Sequence, residues 1–367
     1  MIVYTITSHG FGHAVRACEV IRNLKPDLPL TLRTAVPEWF LEHELGSRCY
    51  KLAPAEFDCG VLGPDSARVD LARTVRRMER LFIQNEARID EEAAFLKRIG
   101  ARVVVSDVPS FPLRAAREAG VPSILIANFT WSAIYEHLAA HFCPSGKLKA
   151  RAESVIGVMQ REYDMGDLLL ATDMQIPMHA CRQRRDVPMI ARRGVNRRAD
   201  LIEKLRLDPS RPIGLLYLGR DGMEGIEWPR LAGLEIQILA FAVPPGAESL
   251  IHPLPEDLID HADASSSVDV VIAKPGYGIC GECIAADTPL IYPPRPEFAE
   301  MQAVDPLLER WGGGIPIGEE DFRSLNWQPC LDRCKSLQRH PEAVDCTGGR
   351  VCAEWIERYW RNAPDFL

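Results

Sequence analysis

Short apolar runs alternate along the chain with stretches whose apolar positions recur every three to four residues. IVYTIT (2–7) is strand-like, and Ala14, Ala17, Cys18, Ile21 and Leu24 follow at helical spacing until Pro26 ends the run. LTLRTA (30–35), RVVVSD (102–107), SILIAN (123–128) and DLLLAT (167–172) read as further strands, with a helix from Leu113 to Ala119 stopped by Gly120. From about Met174 to Arg211 the text turns basic, irregular and Pro-punctuated, with one helical piece at ADLIEKLRL. Alternation restarts with PIGLLYLG (212–219), EIQILAFA (235–242), DVVIAKPG (269–276) and PLIYPP (289–294), and VCAEWIERYW (351–360) predicts an amphipathic helix. Strands alternating with helices imply parallel sheets covered on both faces. The expectation is an α/β protein of two tandem halves, 1–175 and 212–345. Residues 176–211 read as a linker, and 346–367 as a C-terminal helix packing back across the domains.

Composition narrows the function. The chain has 367 residues, 47% hydrophobic and 26% charged, an ordinary globular balance with length for about two to three domains. A net charge of -8 argues against a nucleic-acid partner, and the local basic runs RRMER and RQRRD read as solvated faces. MIVYTIT lacks the basic start of a secretory signal, and no apolar run approaches the ~18 residues of a membrane span. The expected address is the cytoplasm, with peripheral membrane contact left open. Eleven cysteines are an odd count, so reduced buried thiols are expected. CGEC (Cys280, Cys283), CLDRC (Cys330, Cys334), Cys346 and Cys352 match a metal site only loosely.

Open parallel sheets bind ligands beyond the carboxyl ends of their strands. Three such loops carry unusual residues. In SHGFGH, Gly10 and Gly12 allow close backbone approach, and the next helix offers free N–H groups at its positive end. Val15 replaces the third glycine of a dinucleotide fingerprint, and no Gly-Lys-Ser/Thr follows to make a P-loop. A simple glycine turn with incidental histidines is the competing reading. In VSDVPS, Asp107 either caps the following helix or meets His13 as the carboxylate that orients an imidazole base. In AKPGYGICGE, Lys274, Gly276 and Gly278 precede a helix whose start suits a diphosphate. Glu282 either complements the helix dipole there or accepts both hydroxyls of a ribose.

Taken together, HGFGHAVR and the loops above resemble glycosyltransferases of the two-Rossmann-domain architecture called GT-B, especially a bacterial group with an N-terminal Gly-x-Gly-x-Gly-His-x-x-Arg element. VVVSDVPSFPLRAAREAGVPSILIANFTWSAIY and VVIAKPGYGICGECIAADTPLIYPPRPEFAEMQAV also resemble the glycosyltransferase-like N-terminal region of plant arabinokinases. The resemblance implies two Rossmann-like domains facing each other across a cleft. It makes His13 the general base for an acceptor hydroxyl and Asp107 its partner, with Gly276, Gly278 and Ile279 on the diphosphate and Glu282 on the ribose. It also sets Glu300 and Gln302 near the sugar hydroxyls, although the related pattern has an acid directly before the Gln where Met301 stands. Arg220, in LGRDGMEG, is a candidate phosphate contact.

The expected reaction moves a hexosyl-type group from an NDP-sugar, with UDP-sugar the first choice, to an acceptor that is a small molecule, glycan or lipid-linked group. A helix start and Lys274 would stabilise the leaving diphosphate in place of a metal; no DxD-like pair stands at a strand end, so neither metal nor cofactor is expected. His9 is the rival base, and His179, His252 and His261 rank lower. Trp131 and Tyr135 offer either an acceptor platform or core packing. A sugar-nucleotide 2-epimerase or hydrolase, and a non-catalytic sugar-nucleotide-binding module, are the alternatives.

Overall fold

A computed structural model describes residues 1–63, 69–143, 145–218, 225–255, 258–295 and 298–362. They divide into two compact units, the first holding the chain up to 190 and again from 347, the second holding 191–346.

The first unit runs β1 (Ile2–Ile6), α1 (Phe11–Asn23), β2 (Leu30–Arg33), α2 (Glu38–Leu45), β3 (Lys51–Leu52), α3 (Leu71–Ala87), α4 (Ile89–Arg98), β4 (Val103–Asp107), α5 (Phe111–Ala119), β5 (Ser123–Ala127), α6 (Trp131–Phe142), α7 (Lys147–Tyr163), β6 (Leu168–Thr172) and β7 (Gln183–Val187). Its strands form a parallel sheet in the order β3-β2-β1-β4-β5-β6-β7. Every residue of β1, β4, β5 and β6 is buried, which is why these strands read as unbroken apolar runs. Gly120 closes α5 in the left-handed conformation, as its position predicts.

The second unit runs α8 (Arg198–Leu205), β8 (Ile213–Tyr217), β9 (Gln237–Ala240), β10 (Ile251–Pro253), α9 (His261–Ser267), β11 (Val270–Ala273), α10 (Tyr277–Ala286), β12 (Leu290–Tyr292), α11 (Met301–Trp311), β13 (Gly314–Pro316), α12 (Glu319–Arg323) and α13 (Gln328–Cys334). Its parallel sheet has the order β10-β9-β8-β11-β12-β13. Leu216, Ile238, Ile272, Ile291 and Ile315 from five adjacent strands bury together with Trp228 and Trp327 on one face.

The segment expected as a linker is shorter than its composition suggests. Residues 183–187 pair with β6 as the edge strand β7, their Gln, Arg and Asp side chains exposed and only Val187 buried. Charge on an edge strand discourages pairing with another chain, so the basic text there marks a sheet margin. The final helix, α14 (Gly348–Arg361), belongs to the first unit. It turns Cys352, Ala353, Ile356 and Tyr359 inward. Its entry is pinned where the Gly348 N–H donates to the Met189 carbonyl at 3.0 Å.

A Cβ at Gly348 would lie 2.2 Å from the Pro188 carbonyl oxygen and 2.8 Å from that of Met189. Gly348→Ala is therefore expected to destabilise the protein by about 1–3 kcal/mol, since backbone cannot yield as a flexible side chain can. A lowered urea midpoint at unchanged m-value would show it; an unchanged midpoint would contradict the tight docking.

Candidate functional site

Register brings the first site together. β1 and β4 are parallel neighbours with Ile6 opposite Asp107, and the Thr7 N–H donates to the Asp107 carbonyl at 2.8 Å. The chain leaving β1 turns through Gly10, at φ 71°, into α1, which puts His13 in the first turn of the helix at the carboxyl edge of the sheet. That φ is easy for glycine and costly for a side chain. Gly12 is helical; the space beside it is open, as it is beside Gly10, and a Cβ on either would meet nothing within 4 Å.

His13 Nδ1 lies 3.1 Å from Asp107 Oδ1. Arg16, one turn further along α1, donates from Nε to Asp107 Oδ2 at 2.9 Å, from Nη2 to Oδ1 at 2.5 Å, and from Nη1 to Asn128 Oδ1 at 2.5 Å. Asp107 and Asn128 are fully buried and Arg16 nearly so. Burial alone would raise the Asp107 carboxyl, but the Arg16 charge and the hydrogen bonds from His13 and Arg16 hold it below its usual value. It is a carboxylate at neutral pH.

His13 keeps 13% of its side chain exposed, and Nε2 has no hydrogen-bond partner among the described residues. Its Nδ1 also lies 3.1 Å from Arg16 Nη2, so the tautomer decides the chemistry. With a proton on Nδ1 the ring donates to Asp107, and Nε2 is a free base; with Nδ1 bare it accepts from Arg16, and Nε2 carries the proton.

His9 lies beside this pair, its ring 5.4 Å from that of Trp131 and edge-on to it. Although part of the residue faces solvent, the crowded ring resists charging: desolvation first, then the neighbouring His13, lowers its pKa to about 4. Trp131 and Tyr135 form no open platform, because both are buried. Trp131 lines the site, its ring centroid 6.0 Å from that of His13, while the Tyr135 hydroxyl donates to the Gly60 carbonyl at 2.6 Å.

The second unit carries the other candidates. Lys274 follows β11, and Gly276 caps the start of α10 in extended backbone, with no side chain capping the helix. A Cβ on Gly276 or Gly278 would meet nothing within 4 Å, so the helix start has open space before it. Glu282 is buried, 7% exposed, and its Oε2 accepts from the Ser265 hydroxyl of α9 at 3.4 Å. Glu300 caps α11, where its carbonyl accepts from Ala303 and Val304, and Gln302 is exposed on the first turn. Arg220 lies outside the described residues. His261 packs against Phe241 at 4.0 Å and Tyr217 at 4.7 Å, and His179 is on the surface.

Cys280 and Cys283 are fully buried thiols; burial pushes Cys280 up to about 12 and Cys283 well above its ordinary value, so both stay protonated. Among the described residues no three His, Cys, Asp or Glu side chains gather as metal ligands. A cavity of about 1060 Å³ in this unit lies at the opposite edge of the sheet, beside Pro212, Asp269 and Pro289, which precede β8, β11 and β12. Of the cations that line it, Arg198 and Arg339 are paired with Asp269 and Asp287.

No family model matches the chain. The L-arabinokinase of Arabidopsis thaliana is 27% identical over 365 residues, covering 97% of this chain and 34% of its own length. The chain thus spans about a third of the curated relative it matches. Among solved structures, UGT89C1 of Arabidopsis thaliana is similar with a TM-score of 0.64 at 10% identity, covering 100% of this chain and 98% of that one. UGT2 of Phytolacca americana, complexed with UDP-2fluoro-glucose and pterostilbene, scores 0.59 at 13% identity, covering 99% and 94%. The spinosyn forosaminyltransferase SpnP scores 0.59 at 14%, covering 99% and 95%. The chain has the GT-B fold. In this GT-B chain the carboxyl edge of each sheet carries its own set of candidate residues.

Arg16 is a site residue that the sequence pattern left without a role, although its three-residue spacing from His13 in HGFGHAVR sets both on one helix face. Asn128 carries no such signal.

Arg16→Met is expected to strand Asp107 as a buried unpaired charge and cost about 3–5 kcal/mol at pH 7. The loss should shrink on acidification, because without Arg16 the burial of Asp107 is no longer offset and its carboxyl rises, so the variant takes up a proton there and sheds the stranded charge while the wild-type carboxylate stays ionised. Denaturant titrations at pH 7 and pH 4 check this; equal losses at both would contradict it.

Proposed function

We propose that this protein is a nucleotide-sugar-dependent glycosyltransferase, with His13 as the general base for an acceptor hydroxyl and Asp107 as the group that orients it. The observation that carries the reading is the His13–Asp107 contact at 3.1 Å, with Nε2 unpartnered among the described residues, in a chain of GT-B fold. The Nδ1–H tautomer donates to Asp107, Nε2 takes the acceptor proton, and the buried carboxylate steadies the imidazolium. His9, neutral with a pKa near 4, is too weak a base for the same step. Phe11 and Trp39 expose rings 5.9 Å apart beside the start of α1, a surface suited to the apolar face of an acceptor.

In the second unit, Lys274 and the open helix start at Gly276 and Gly278 would receive the diphosphate, their positive charge stabilising the leaving group without a metal ion. Glu282 would take the ribose, and Glu300 and Gln302 the sugar. UDP-sugars are the first donors to try, since a solved structure similar to this chain is a complex with UDP-2fluoro-glucose. A second reading, a sugar-nucleotide-binding module without turnover, draws on Arg16, which already neutralises Asp107 and competes for His13 Nδ1.

His13→Ala is expected to lower donor turnover by about 10²–10⁴-fold while leaving calorimetric binding of UDP, GDP or TDP unchanged. Unchanged turnover would sink the mechanism. Nucleotide binding by a wild-type protein that turns over no donor, with or without acceptors, would favour the binding module.

A further inference from the structure

We propose that Asp58 is a positioning residue of the His13 site, tying the Trp131 indole to the end of β1 so that this ring holds the two imidazoles in place. The proposal rests on the reading of His13 as the working base.

Asp58 follows β3 on an irregular segment and is 4% exposed. The Thr7 hydroxyl donates to its Oδ1 at 2.7 Å, and the Trp131 Nε1–H donates to its Oδ2 at 2.7 Å. Both donors are neutral, so the buried carboxylate has hydrogen bonds without a hydrogen-bonded cation. An ionised carboxylate satisfies a hydroxyl and an indole N–H together, whereas an Asn amide would turn its own N–H₂ toward one of those donors. Stability alone does not favour an acid here, since desolvating a carboxylate is costly.

What the acid holds is the wall of the site. Trp131 lies 5.4 Å from the His9 ring, 6.0 Å from that of His13 and 5.0 Å from Phe129. Thr7, at the other end of the link, donates its N–H to the Asp107 carbonyl and accepts from the His9 N–H at 3.3 Å. One carboxylate therefore joins Trp131 to the strand end that carries both histidines. Burial raises the Asp58 carboxyl to about 6, against the two hydrogen bonds and the His13 charge. The titratable groups facing it are His13 on α1, Tyr135 on α6, Tyr163 on α7, and Glu56 and Cys59 on its own segment. As the pH falls through about 6 the carboxyl takes up a proton, and the oxygen that becomes a hydroxyl accepts more weakly.

The test is ¹H–¹⁵N NMR of the full chain between pH 5 and 7.5, comparing wild type with D58N and with W131F, which also assigns the indole signal. The expected result is a Trp131 indole resonance that titrates with a midpoint near pH 6 in wild type and not in D58N, shifted His13 ring nitrogens in D58N, and a roughly tenfold lower kcat for donor turnover at unchanged KM. A folded D58N with unshifted His13 resonances would overturn the proposal. If D58N does not fold, T7V, which removes the other hydrogen bond to Asp58 and leaves the Trp131 ring in place, decides in the same way: unshifted His13 nitrogens overturn the proposal and shifted ones uphold it. Wild type without donor turnover would defeat the glycosyltransferase reading alone, because the NMR comparison judges Asp58 independently of activity.

Discussion

The buried pair of Arg16 and Asp107 is the constraint from which the first site follows. Two opposite charges taken out of water hold together only with good geometry and further hydrogen bonds, and here the guanidinium uses both carboxylate oxygens and Asn128. Arg16 lies on α1 while Asp107 and Asn128 end or follow β4 and β5, so the pair sets the rotation of the helix about its own axis. His13, three residues earlier, is thereby turned toward the same carboxylate. A different helix phase would carry the imidazole away from it.

The same pair limits what Asp107 can do. A carboxylate that orients a histidine without a cation nearby gives its full charge to the imidazolium; this one divides it between His13 and Arg16. The balance between the two tautomers of His13 is therefore the electrostatic question at this edge, and Asp58, Thr7 and Trp131 frame it from the other side. The second unit works by different means. Its carboxyl edge offers open glycines and a helix start, and Glu282 lies against Ser265.

Much of the fold is legible in the sequence because fully buried parallel strands must be continuous apolar runs. β1, β4, β5, β6, β8, β9, β11 and β12 all announce themselves that way. β3, β10 and β13 are two or three residues long and, unlike the equally short but fully buried β12, are partly exposed, so no apolar run marks them. β7 is hidden for the opposite reason: as an edge strand it is polar, and QRRDV reads as loop until the sheet that it completes is known. The start of the second unit accordingly moves to 191.

For the site, sequence by itself determined the parts that depend on local order: a glycine turn after the first strand, His13 and Arg16 on one helix face, Asp107 at a strand end, and glycines before α10. Those are consequences of spacing along one element. Tertiary structure alone decided which of them meet. Asp107 stands 91 residues from Arg16, and Asp58 stands 73 residues from the Trp131 that it binds. Nothing in the irregular text around EFDCG signals a partner, because a buried carboxylate is defined by donors on other elements. Trp131 likewise has the same letter in a platform and in a wall, and only the packing of α6 made it a wall.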